Sequence, residues 1–133
     1  MAGETENLSL DPDTVTRGVE SVFQDPSLAE YFVAEIEGEV VGSLMITREW
    51  SDWRAGLVWW IQSVYVHPDH RGQGVYSDLY RFIQQRVIAD PRVRGVRLYV
   101  DRTNSRAQEV YSRLGMDGDH YVVFEWMEQP ETT

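Results

Sequence analysis

Residues 57 to 76 read LVWWIQSVYVHPDHRGQGVY, and the fold turns on them. Residues 57 to 66 are almost continuously apolar, as in a strand covered on both faces. After HPDHRGQG, the apolar positions Val75, Leu79, Phe82, Ile83 and Val87 step at three and four, the period of a helix. Asp90-Pro91 ends that helix, because a residue before proline is pushed out of the helical region. The stretch is therefore strand, glycine loop, helix. Gly72 and Gly74 allow backbone conformations closed to other residues, so consecutive amides can point into one concavity at the helix N-terminus. Arg71 adds a charge-assisted donor beside them. A pyrophosphate suits such a nest, although a plain strand-to-helix turn also uses glycine.

Upstream, Asp11-Pro12 opens a helix to about residue 24, with Val15, Val19, Val22 and Phe23 on one face. YFVAEIE (31 to 37) and EVVGSLMITRE (39 to 49) meet across Gly38 as an antiparallel hairpin, followed by the loop WSDWRAG (50 to 56). Downstream, GVRLYV (95 to 100) reads as a strand. Ser105 with Gln108 forms a capping-box pattern before Ala107, Val110, Tyr111 and Leu114, and Gly115 fits the left-handed helix end. YVVFEWM (121 to 127) is expected to be a last strand, and EQPETT a frayed tail. The order predicts an α/β chain with a mixed sheet, one domain over 1–133, and its most conspicuous motifs at 57–116.

The 133 residues carry a formal charge of -10, with twelve basic residues that are all arginine and no cysteine. Without cysteine, disulfides, thiolate catalysis and Cys-ligated metals are excluded. The acidic field disfavours nucleic acid and anionic membranes and favours cationic or neutral partners. No apolar run is long enough to span a bilayer, and MAGETENLSL lacks a secretory pattern, so a cytoplasmic location is expected. His67 and His70 flank Pro68 without an obvious third ligand, so no metal site is assigned.

Taken together, Arg71, Gly74 and Tyr76 resemble the cofactor motif Arg/Gln-x-x-Gly-x-Gly/Ala of the GNAT superfamily of acyl-CoA N-acyltransferases, with Tyr76 where the family has Gly or Ala. Asn104, Ala107, Tyr111 and Gly115 are similar to its Asn-x-x-Ala-x-x-x-Tyr-x-x-x-Gly-Phe motif, with Met116 replacing Phe. The likeness covers about residues 31 to 127. It implies a splayed pair of central parallel strands, 57 to 66 and 95 to 100, holding the pantetheine arm of acetyl-coenzyme A against Val64, Tyr65 and Val66. Arg71, Gly72, Gln73, Gly74, Val75, Tyr76 and Ser77 would hold the pyrophosphate, and Asn104 and Tyr111 would contact the cofactor nearby.

The resemblance further implies acetyl transfer to a primary amine of a small-molecule or peptide acceptor, with possible homodimers. The Val64 amide would be the oxyanion donor and Tyr111 the general acid, unless Tyr111 is a core aromatic. Glu49 and Asp52 are candidate bases, cation attractors or solvated loop acids; Gln62 and His120 are lesser candidates. Trp50 and Trp53, with Glu49, Asp52 and Gln62, form the expected acceptor site, the indoles offering ring faces to a cation or else packing in the core. That segment is similar to polyamine and thialysine acetyltransferases, which carry an acidic pair where this chain has Gln62 and Ser63. A catalytically silent acyl-CoA sensor or interaction module is the alternative.

Overall fold

The computed structural model describes residues 10 to 128, which divide after Asp101 into two compact units. The first unit begins with α1 (Pro12–Gln24). Its start is local chemistry: Asp11 Oδ1 accepts from the Asp13 amide at 3.3 Å, Asp11 Oδ2 accepts from the Thr14 hydroxyl at 2.8 Å, and Pro12 needs no donor. Its apolar face, Val15, Val19 and Phe23, is largely exposed, with the Phe23 ring stacked on Tyr31 at 5.8 Å.

β1 (Glu30–Ile36) and β2 (Glu39–Ser51) form the expected hairpin. The turn residues Glu37 and Gly38 both have positive φ, 52° and 84°, the hand that matches strand twist. β3 (Gly56–Val66) lies antiparallel to β2 and parallel to β4 (Val93–Leu98), giving the order β1-β2-β3-β4. Between β3 and β4 runs α2 (Val75–Ala89), which covers one sheet face and buries Val75, Leu79, Tyr80, Ile83 and Val87. Leu44, Ile46 and Ile83 are 0 % exposed and mark the centre of the core.

Three differences from the sequence reading concern strands. β2 runs on to Ser51, so Trp50 and Ser51 are strand residues and the connecting turn is shorter than expected. β4 starts at Val93 rather than 95, because the Leu57 amide already donates to the Arg92 carbonyl at 2.8 Å. That early start is set by Asp90, whose carboxylate grips the Arg92 guanidinium through both oxygens and also accepts from its amide. These bonds hold the Asp90 carboxyl below its ordinary pKa. The third difference is in the second unit. There α3 (Ser105–Arg113) ends as expected at Gly115, φ 89°, with the Met116 amide donating to the Tyr111 carbonyl. Residues 121–128, however, form no strand, and Val122, Phe124 and Trp126 are exposed. A strand sequence needs a ladder to join, and among the described residues of this unit α3 is the only regular element. Most of the expected C-terminal tail and nearly all of the first ten residues lie outside the described residues.

Helix α2 approaches β2 most closely at Gly42, where an added Cβ would sit 2.8 Å from Val75 Cγ1 and 3.2 Å from the Tyr65 carbonyl oxygen. Gly42→Val is therefore expected to lower stability by about 1–3 kcal/mol through overpacking. Urea unfolding would read this as a lower midpoint; an unchanged midpoint would mean that the first turn of α2 yields freely.

Candidate active site

The glycine loop follows directly from the end of β3. His67 Nδ1 accepts from the Asp69 amide at 3.1 Å and so caps the short 3-10 turn Pro68–His70. The two histidine rings meet edge to face at 5.9 Å. No group of three or more His, Cys, Asp or Glu among the described residues is arranged for a metal. Gly72 and Gly74 have φ of 78° and 82°, left-handed values that a side chain would disfavour. Gly74 caps α2 without any side-chain bond, and the first helical bond is Asp78 N–H to Gly74 C=O at 3.0 Å. The helix ladder thus leaves its opening amides to partners outside the helix, with the positive end of its dipole at the same place.

Arg71 turns back so that Nε donates to the Val66 carbonyl at 3.0 Å. The guanidinium is thereby anchored at the loop, and the Val66 carbonyl has a side-chain partner. Gln73 Nε2 donates to the Asp69 carbonyl at 3.4 Å, bracing the loop from inside. The Tyr76 ring lies half-buried along the helix, 6.5 Å from Tyr80, whose burial raises its phenol pKa.

Parallel pairing runs from Leu57 opposite Val93 to Ile61 opposite Leu98 and goes no further. β3 continues through Gln62, Ser63, Val64, Tyr65 and Val66, held on its β2 side alone. The divergence of the two central strands thus begins after Ile61. Within it lies a bulge that the sequence reading missed. Met45 pairs with Gln62 and Ser43 with Tyr65, so Leu44 faces both Ser63 and Val64, and Ser63 has φ 52°. The polar pair Gln62-Ser63 inside an otherwise apolar strand was the available signal.

The acceptor-site candidates are sorted by strand alternation. Gly42 contacts α2, so Leu44, Ile46, Arg48 and Trp50 share its face of β2 while Met45, Thr47 and Glu49 take the other. Glu49 and Trp50 therefore point to opposite faces. On the Glu49 face, Gln62 Nε2 donates to Thr47 Oγ1 at 2.7 Å, and Arg97 Nη1 donates to Glu49 Oε1 at 2.8 Å. Trp60 joins them, 4.7 Å from the ring of Tyr99. Asp52 caps its own turn, accepting from the Trp53 amide at 2.9 Å, and Trp53 is 89 % exposed. Trp59 packs in the core, so Trp50, Trp53, Trp59 and Trp60 have different surroundings rather than forming one box.

In the second unit, Asn104 rather than Ser105 caps α3, its Oδ1 accepting from the Ala107 amide at 3.0 Å. Gln108 donates instead to the Arg102 carbonyl at 2.9 Å. Tyr111 is half-buried, on a helix without a fully buried residue. His120 is exposed and pairs with Asp117 at 2.8 Å.

The acetyltransferase (GNAT) family model matches residues 4–116. The crystal structure of a possible acetyltransferase from Clostridium difficile 630 has a TM-score of 0.88 to this chain at 37 % identity, covering 97 % of this chain and 85 % of that one. An acetyltransferase of Sodalis glossinidius is 34 % identical over 93 residues, 68 % of this chain and 57 % of the relative. Thialysine N-epsilon-acetyltransferase of Bos taurus is 32 % identical over 76 residues, 57 % and 44 % of the two chains. The chain spans about half the length of these two curated relatives.

Proposed function

Because this chain belongs to the GNAT acetyltransferase family, we propose that it is one N-acetyltransferase domain moving an acetyl group from acetyl-coenzyme A to a primary amine of a small-molecule or peptide acceptor. The observation that carries this reading is the continuation of β3 past the end of β4 at Ile61, directly before a left-handed glycine loop that opens α2. A strand edge without a ladder partner and a helix start without a side-chain cap are two sets of backbone groups that need partners. Coenzyme A has an amide-bearing arm joined to a pyrophosphate, which suits both. Membership of the thialysine enzyme in the set of relatives supports an amine acceptor.

Acetyl-coenzyme A supplies an activated thioester carbonyl. The chain's part in the reading is placement and charge. Val64, Tyr65 and Val66 would hold the pantetheine arm. The amides of Gln73, Gly74, Val75 and Ser77 take the pyrophosphate, with Arg71 and Gly72 shaping the loop and Tyr76 packed behind it. The Val64 amide would serve as oxyanion donor, and the Tyr111 hydroxyl would supply the proton that a leaving thiolate needs. Asn104 adds a side-chain contact through its NH2 group while its oxygen caps α3.

Direct transfer also needs the amine in its neutral form. Glu49 is the better base than Asp52 because it shares a sheet face with Gln62, Thr47 and Trp60, although Arg97 holds one of its oxygens. Asp52, Trp50 and Trp53 then act, if at all, in drawing a cationic acceptor from solvent. Cytoplasmic residence and a homodimer complete the proposal; no helix among the described residues is long and apolar enough to cross a membrane.

Thiol release from acetyl-coenzyme A, measured against polyamines, amino acids, aminoglycosides and peptide N-termini, tests the reading. Turnover with one cationic class is expected. Coenzyme A binding with silence across the panel would move the assignment to an acyl-CoA sensor, and absence of binding would remove it altogether.

A further inference from the structure

Gln62 is the first residue of β3 beyond the last parallel pair, Ile61 opposite Leu98, and it stands two residues before Val64. It therefore occupies the point where the central strands begin to part, on the sheet face away from α2. We infer that the acceptor received there is a monoamine with an aromatic or apolar body, held by the Gln62 amide oxygen and the rings of Trp60 and Tyr99, and not a polyamine. The inference rests on the N-acetyltransferase reading and narrows its acceptor class.

The Gln62 amide is oriented from β2. Its Nε2 donates to Thr47 Oγ1 at 2.7 Å in a part-buried contact between strands. With the nitrogen committed to Thr47, the oxygen, an uncharged acceptor, is the atom that can take an amine hydrogen. A neutral oxygen favours the ammonium form less than a carboxylate does, and transfer needs the free amine.

Aromatic surface adjoins the amide on the same face. Trp60 and Tyr99 meet at 4.7 Å, and Tyr99 is 55 % exposed, so the ring pair is open to a ligand from solvent. Charge is balanced across this stretch. From Met45 to Ser51, and on the β3 and β4 residues paired with them, the face carries one carboxylate, Glu49, and one guanidinium, Arg97, joined at 2.8 Å. Asp52 lies past the end of β2 and accepts from the Trp53 amide. The further ammonium groups of a polyamine would thus meet no unpaired carboxylate among the described residues of this stretch, whereas an apolar body would meet rings.

Thiol release from acetyl-coenzyme A by the whole protein, with phenethylamine and with spermidine beside the wider amine panel, tests this. The parent is expected to show kcat/KM at least about tenfold higher for phenethylamine, the scale of one good apolar contact. Gln62→Glu keeps the size, can still accept from the Thr47 hydroxyl and adds a charge; it should raise kcat/KM for spermidine relative to phenethylamine about tenfold. Tyr99→Ala should raise KM for phenethylamine about three- to tenfold, while unchanged coenzyme A affinity by calorimetry shows that the variant is folded. A parent that prefers spermidine, or that turns over other amines but neither of these, overturns the inference and leaves the N-acetyltransferase reading intact. Unchanged preference in Gln62→Glu, or unchanged KM in Tyr99→Ala, overturns it as well. A parent that turns over no amine removes the reading, and the inference with it.

Discussion

Tyr111→Phe is expected to slow thiol release from acetyl-coenzyme A by about 10²- to 10⁴-fold, the usual contribution of a positioned general acid, while coenzyme A affinity stays unchanged. The change removes one hydroxyl and keeps the ring, and Tyr111 is only half-buried on a helix without core residues. A packing role would therefore predict little effect on either quantity. Steady-state rates and calorimetric titration separate the cases. Turnover equal to the parent would take the proton-donor role from Tyr111, and loss of affinity together with rate would make it a cofactor contact instead.

The largest stability loss is expected at Ile83, where Ile83→Ala should cost about 2–5 kcal/mol. Ile83 is 0 % exposed on the inner face of α2, which packs against the sheet. Its removal leaves a cavity that neighbours close only partly, since the transfer energy of the lost carbons and the void both count. The contrast is Ile88, on the same helix and 77 % exposed, where alanine should change stability by well under about 0.5 kcal/mol. Urea midpoints would check both. Similar losses at the two positions would mean that α2 does not pack as described.

What could be read beforehand follows from how local each signal is. Asp11, the Glu37-Gly38 turn, Asp90-Pro91 and Gly115 place element ends through their own backbone preferences, and the structure agrees with them closely. Strand limits depend on a partner. β2 extends to Ser51 because β3 is there to pair with it, β4 starts early because Arg92 accepts from Leu57, and residues 121–128 carry a strand pattern without a ladder among the described residues of their unit. The candidate site divides in the same way. The glycine loop announced itself by residue type, whereas the Glu49–Arg97 pair joins residues 48 apart in sequence across two strands. Nor does spacing show that Glu49 and Trp50 fall on opposite faces, because Trp50 and Ser51 have the composition of a loop and become strand only through pairing with β3.

The bulge at Ser63 makes the length of β3, more than the chemistry of its residues, the quantity under constraint there. Shortening the chain by one residue at that point would let Leu44 face a single partner and restore regular alternation, at little cost to the pairing on either side. Because Tyr65 would stay opposite Ser43, Val64 to Val66 would keep their faces, and what would be lost is the surplus residue and the local bend just before the loop begins. Glycine or asparagine could replace serine at position 63, where φ is 52°, but a deletion there would straighten the strand where it leads into the glycine loop.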